Sequence, residues 1–323
     1  MAIPPVVVQT ARSGWHWQWQ RLMGGLGPAD ADGNYRRPVS DHLNNDAPDR
    51  AELEGRDEHE RPLLIVGRSC PWAHRAWLVH RLRRLEGRLN LLMATADHRG
   101  GRWVLSPAWN GCHSLLDLYR HCNAPPSHRA TVPVLVDPIR PQILCNDSAP
   151  MVDVLNQWPA EETAPDLNPS ELHEPIATWQ DLLQPAVNDG VYRCGFARNQ
   201  AAFDRAESAL FAALEQVESS LRTGGPWLCG ERLTLADVRL FPTLIRWDTV
   251  YAPLFGCSRQ PLWQFPQLWD WRRRFFDHPG VKETCDAVAW RQDYFGALFP
   301  LNPGGIVPSA PELTRLVTSR IPQ

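Results

Sequence analysis

The pattern of apolar and polar positions divides the chain into a sparse beginning, an alternating middle and a helical remainder. Through residues 1–60 there are few aliphatic residues after Leu26, and Asp, Glu, Arg and Asn are frequent. That composition predicts an arm, extended over 28–60 and partly ordered at best. Trp15, Trp17 and Trp19 alternate within it, as side chains on one face of a strand would, or as pins holding the arm to the body. The run Leu63-Leu64-Ile65-Val66 predicts a buried strand closed by Gly67. A helix is predicted from Pro71, with Leu78, Leu82 and Leu85 on one face and Gly87 as its stop. Residues 89–93 predict the next strand, completing a β-α-β unit.

Residues 97–128 interrupt the pattern and hold one predicted short helix near 115–119. Two strands come next, over 131–136 and 142–145, joined by a turn at Asp137-Pro138. Asn146-Asp147-Ser148 then opens a helical pattern carrying Met151, Val152, Val154 and Leu155. The order β-α-β, then β-β-α, is that of a thioredoxin-like fold. Residues 159–173, rich in Pro, Glu and Asp, predict a linker. Beyond it the pattern is helical, with Phe203, Leu210, Leu214, Val217 and Leu221 on one face. Thr234-Leu235-Ala236-Asp237 has the form of a capping box, with Leu233 and Val238 as its staple. The expected organisation is an arm over 1–60, a thioredoxin-like domain over 61–158, a linker over 159–173, an all-α domain over 174–288 and a C-terminal extension over 289–323.

Composition narrows the setting. The chain has 323 residues, 43% hydrophobic, which is globular and long enough for two domains. A formal net charge of -3 gives no reason to expect a nucleic acid or a membrane surface as partner. No apolar run approaches the roughly 18 residues a membrane span needs. The eight cysteines are scattered, without a C-x-x-C pair, unlike a secreted disulfide framework. A reducing, cytoplasmic compartment is the expectation.

One of those cysteines carries chemistry. Cys70 follows a predicted strand and precedes Pro71 at a predicted helix start, where unsatisfied N–H groups and the helix dipole favour thiolate over thiol. A lone cysteine is more often a small buried hydrophobe, but its place at this turn reverses the odds. Position 73 is Ala73, so no neighbouring cysteine resolves a mixed disulfide, and an external thiol such as glutathione must. At Val132-Pro133 a cis bond would leave the Val132 backbone facing a peptide lying alongside. Asp147 and Ser148 open a helix where a carboxylate and a hydroxyl could hold the ends of a γ-glutamyl group. An ordinary cap by Asn146 or Ser148 is the plainer reading of the same residues. Cys112-His113 and His121-Cys122 do not have zinc-ligand spacing, and no metal is expected.

Several longer motifs sharpen this picture. Cys70-Pro71-Trp72-Ala73-His74-Arg75 resembles the active-site motif of the glutathionyl-hydroquinone reductases, the xi-class glutathione transferases. So do the segments 188–197, 235–241, 248–251 and 302–308, and the likeness runs over about 61–308. The resemblance implies the glutathione transferase fold, an α/β thioredoxin-like domain followed by an all-α domain, in a homodimer. It implies glutathione as co-substrate, aromatic glutathione conjugates as substrates, and a mixed disulfide on the nucleophile Cys70. It implies Tyr192 as proton donor and Tyr251 and Tyr294 as hydroxyls supporting the thiolate. Trp103, Arg129, Ala130, Thr131, Val132, Asp147 and Ser148 match the glutathione-contacting positions. Asp147 stands where the family usually has Glu, and Phe295 where many relatives have a second tyrosine. An omega-like thioltransferase or dehydroascorbate reductase would need Cys70 but not Tyr192, and a non-catalytic binding module would need neither.

Overall fold

In the computed structural model, which describes residues 3–38, 50–53, 55–97 and 100–318, an α/β half is joined to an all-helical half. Six strands form one sheet: β1 Leu63–Gly67, β2 Asn90–Asp97, β3 Arg102–Trp109, β4 Cys112–Ser114, β5 Val134–Asp137 and β6 Gln142–Cys145. Their order across the sheet is β4-β3-β2-β1-β5-β6. The helices that position the site are α1 Pro5–Leu26, α2 Pro71–Leu82, α3 Leu115–His121, α4 Ser148–Gln157, α5 His173–Leu183, α6 Gly190–Gly195, α7 Gln200–Gly224, α8 Leu235–Ile245, α9 Pro266–Phe276 and α10 Ala287–Ala297. The expected thioredoxin-like order and the all-α second half are both present.

β1 is buried at every residue. An unbroken apolar run demands cover on both faces, and a central strand has it. β1 pairs in parallel with β2, Leu63 opposite Asn90, and antiparallel with β5, Leu63 opposite Val136. β5 begins at Val134 rather than at Thr131, because Pro133 has no N–H to give a ladder. α2 packs against both α4 and α8, so one helix joins the sheet to the second half. The capping box at the start of α8 is present, with Thr234 N–H donating to Asp237 Oδ2 at 2.9 Å. Asp237 also accepts from the Leu228 N–H at 3.0 Å and the Trp271 indole at 2.8 Å, which ties α8 to α9.

Four expectations are corrected. The stretch 97–128 is not only a helix between loops, since it adds β3 and β4 to the sheet edge. Most β3 positions are exposed or half-buried, so no clean alternation marks it in the sequence. α2 stops at Leu82, not at Gly87. Arg84 takes a left-handed φ of 53°, its N–H donates to Arg81 O at 3.1 Å, and the Leu85 N–H donates to His80 O at 3.0 Å. That pair of bonds is a Schellman stop, made without glycine. Trp15, Trp17 and Trp19 lie on a helix, α1, not a strand. Trp15 and Trp17 are exposed there, and only Trp19 is held to the body, its indole donating to Pro300 O at 3.1 Å. Finally, residues 28–38 are ordered: Asp30 ties Asn34 and Arg36, Arg198 N–H donates to Gly33 O at 3.0 Å, and Arg205 reaches Asn34 Oδ1 at 2.9 Å. The expected extended arm also falls on 39–49, which lie outside the described residues.

Candidate active site

The end of β1 and the start of α2 set Cys70 at the junction of the two halves. Cys70 is the N-cap of α2 with extended backbone angles, and Pro71 fills the first helical position, where a missing N–H costs nothing. Its Sγ faces the carbonyl of Val132 at 3.7 Å, across from the cis Val132-Pro133 bond. The backbone N–H groups of Ala73 and Trp72 point at the sulfur. The sequence alone predicts a thiol below its ordinary range. In the structure two influences oppose each other: burial pushes the Cys70 thiol up, and the Ala73 and Trp72 N–H groups, with Arg246 and Arg37, pull it down.

A cavity of about 260 Å³ opens in front of Cys70. Trp103, Arg129, Thr131, Val132, Asp147, Ser148 and Tyr192 all line it, and of the expected glutathione-contacting set only Ala130 is outside the lining. Asp147 itself caps α4, its Oδ1 accepting from the Ala149 N–H at 2.9 Å, so neither Asn146 nor Ser148 is the cap. Gly67 explains how Trp103 comes so close. A Cβ at Gly67 would meet the Trp103 ring at 2.6 Å and Val132 Cγ2 at 2.9 Å, so only glycine lets ring and strand touch.

The second half contributes three tyrosines. Tyr192 OH and Tyr294 OH lie 2.5 Å apart, and Tyr294 OH and Tyr251 OH 3.2 Å apart, forming one hydroxyl chain. Two of these residues are aimed by irregular turns. A π-type turn over Gln184–Asn188, closed by Asp189 N–H to Gln184 O at 2.9 Å, precedes α6 and Tyr192. Another over Trp247–Tyr251, with Tyr251 N–H reaching Arg246 O at 3.4 Å, ends on Tyr251. One inserted residue rotates the next segment by about 100° around a helix axis, which is how a helix face meant for packing comes to aim a hydroxyl at a cleft. Burial, then Tyr251 and Tyr294, push the Tyr192 phenol well above its ordinary range; burial does the same to Tyr294. Burial also raises Tyr251, so all three hold their protons at neutral pH. The Tyr251 and Tyr294 hydroxyls, expected to support the thiolate, bond each other here, and Tyr294 also bonds Tyr192.

Sequence reasoning missed the arm's part in the site. Leu26, Tyr35, Arg37 and Pro38 line the cavity with the residues above. Arg37 pairs with Asp189 at 2.9 Å and sits 3.7 Å over the Trp72 ring, whose other neighbour is Arg75 at 4.5 Å. Trp72 in turn stacks with Tyr192, centroids 6.1 Å apart. The Tyr35-Arg36-Arg37-Pro38 stretch has no periodicity, so nothing in the chain signals where it docks. Among the described residues no three His, Cys, Asp or Glu side chains converge as a metal site would require. Cys122 is buried, its thiol pushed up to about 11 by burial. No helix among the described residues is long and apolar enough to cross a membrane.

Comparison with known proteins gives this geometry a context. Residues 69–158 match the model of the glutathione S-transferase N-terminal domain, and residues 200–274 that of the C-terminal domain. The chain is 34% identical over 265 residues to the glutathionyl-hydroquinone reductase PcpF of Sphingobium chlorophenolicum, spanning 79% of this chain and 84% of that one. The glutathione-bound structure of YqjG, a glutathione transferase homolog from Escherichia coli, superposes with a TM-score of 0.72 at 31% identity, covering 79% of this chain and 86% of that one. The glutathione S-transferase Xi of Phanerochaete chrysosporium superposes with a TM-score of 0.79 at 29% identity, covering 88% and 95%.

Proposed function

Because the chain belongs to the xi-class glutathione transferases, the family of the glutathionyl-hydroquinone reductases, we propose that it reduces glutathionyl-hydroquinones to hydroquinones with glutathione as co-substrate. The observation that carries this reading is the meeting of one unpaired thiol, Cys70, with a protonated phenol chain ending at Tyr192 in the same cavity. A thiol alone exchanges disulfides; breaking a carbon–sulfur bond also needs a proton for the carbon.

The Cys70 thiolate attacks the sulfur of the bound conjugate. A sulfur–sulfur bond forms, and the electron pair of the carbon–sulfur bond stays with the ring carbon. Tyr192 protonates that carbon as general acid, and the hydroquinone leaves. A second glutathione gives its thiol proton back to the tyrosine chain and attacks the Cys70 mixed disulfide. Oxidised glutathione departs and the Cys70 thiolate is restored. Arg129, Thr131, Val132, Asp147 and Ser148 hold glutathione along the β5 side of the cavity, with Ala130 beside them and Trp103 reaching in from β3. The chain binds glutathione and the aromatic conjugate, and in this reading works as a cytoplasmic homodimer.

The test is a mass spectrum of the enzyme after exposure to a glutathionyl-hydroquinone with no free glutathione. A single glutathione adduct on Cys70, with free hydroquinone in solution, is the expected result. Turnover that proceeds with Cys70 unmodified, or that persists in Cys70→Ser, overturns the mechanism.

A further inference from the structure

Arg246 is a buried cation with no ion-pair partner among the described residues. It caps the C-terminus of α8, and its side chain is fully buried. Nη1 donates to Pro242 O and to His74 Nδ1, both at 2.9 Å, and the guanidinium lies 4.1 Å over the Trp290 ring. Nε and Nη2 are buried with no acceptor. Among the described residues no carboxylate lies within ion-pair distance of it. Asp248, two residues on, is taken by Arg272 at 2.6 Å, and Asp286 by Arg68 at 3.4 Å. A buried charge with neither partner nor full hydrogen bonding is costly, and such groups persist where function uses them.

The three groups around Arg246 each belong to an element that carries part of the site. His74 is one turn along α2 from Cys70, its N–H donating to Cys70 O at 3.0 Å. Arg246 directly precedes the π-type turn Trp247–Tyr251, and Trp290 stands one turn before Tyr294 on α10. None of these neighbours supplies a negative charge at rest. His74 accepts at Nδ1, so its Nε2 carries the proton and faces Thr284 Oγ1 at 2.8 Å, while Thr284 donates to Val281 O at 2.6 Å. The ring is thus neutral, and the nearby Cys285 thiol is pushed up to about 12 by burial. Among the described residues, the anions available to balance Arg246 are those the reaction creates.

We propose that Arg246 is the fixed counter-charge of the site, a positioning residue that steadies negative charge on Cys70 and then on the tyrosine chain as the proton leaves Tyr192. Its charge pulls the Cys70 thiol and the Tyr251 and Tyr294 phenols down against their burial; Arg37, from the arm, also pulls the thiol down. The proposal rests on Cys70 as the nucleophile and Tyr192 as the acid. Its test does not need turnover. The rate at which iodoacetamide alkylates Cys70, resolved by peptide mass spectrometry, is followed from neutral to alkaline pH in the full chain, in Arg246→Gln and in Arg246→Lys. Loss of the charge in Arg246→Gln should raise the alkylation midpoint by about one pH unit, so that at neutral pH the rate falls about tenfold. Arg246→Lys, which keeps a cation but not the planar guanidinium over Trp290, should hold the midpoint close to that of the unaltered chain. An unmoved midpoint in Arg246→Gln overturns the proposal. If Arg246→Gln loses its near-ultraviolet circular dichroism, Arg246→Lys decides: a held midpoint supports the counter-charge, and a tenfold slower neutral rate overturns it. Failure of the hydroquinone reading would leave this measurement interpretable, because alkylation requires only the thiol.

Discussion

The two walls of the cavity are built in different ways. The sulfur wall, from the end of β1, the start of α2 and the approach to β5, presents mainly backbone: the N–H groups of Ala73 and Trp72 and the carbonyl of Val132. The tyrosine wall, from α6, the π-type turn after α8 and α10, presents side-chain hydroxyls joined to one another. Backbone donors are fixed once the fold forms, and no single side-chain change removes them. A chain of hydroxyls depends on every member and on the turns that aim them. One wall is therefore robust and the other fragile; in the proposed reaction the first holds the glutathione sulfur and the second supplies the proton for bond cleavage.

Removing a hydroxyl from the fragile wall should separate the two most widely. In Tyr192→Phe the general acid is lost, and kcat on a glutathionyl-hydroquinone should fall about a hundredfold. Exchange between Cys70 and a glutathione disulfide should stay within about threefold, since it breaks no bond to carbon. Equal losses in both assays would show that Tyr192 serves the sulfur wall as well.

The robust wall has one weak point, the contact of Gly67 with Trp103 and Val132. Gly67→Ala places a methyl group where the Trp103 ring already sits, and overpacking of this kind costs about 1–3 kcal/mol. The ring must move off β1, and the KM for glutathione should rise about tenfold with kcat on the bound conjugate nearly unchanged. A lowered kcat with unaltered KM would place Trp103 on the chemical step instead.

The smallest effect is expected where the arm crosses between the walls. Arg37→Ala removes a partly exposed ion pair to Asp189 and the cation over Trp72. Thermal unfolding should register less than about 1 kcal/mol. The arm lines the cavity without closing the catalytic geometry, so kcat/KM should drop only a few-fold, about threefold, with the loss shrinking as salt screens the charge. A stability loss several times larger would mean that the arm is a structural strap.

The sulfur wall was legible because its signals are local. A buried apolar run, a glycine, a cysteine and a proline in sequence describe a strand turning into a helix, and Val132-Pro133 and Asp147-Ser148 sit beside their own strand and helix. Only the motif resemblance pointed to Tyr192, Tyr251 and Tyr294, because nothing in their own neighbourhoods distinguishes a site tyrosine from a core one. Arg84 ending α2, β3 next to the edge strand β4 and α1 under the three tryptophans escape the sequence pattern for a related reason. Each depends on what covers the segment rather than on its own pattern.

The sequence by itself determined the two-part architecture and singled out Cys70 as a thiol without a neighbouring cysteine to resolve it, because hydrophobic period and the missing cysteine at Ala73 are properties of neighbouring residues. Only the tertiary structure decided what surrounds that thiol. Burial pushes it up against the N–H groups and cations that pull it down, the tyrosines bond one another, Arg37 arrives from the arm, and Arg246 is left without a carboxylate among the described residues. The balance of desolvation against fixed charge depends on distances in space between residues far apart in the chain.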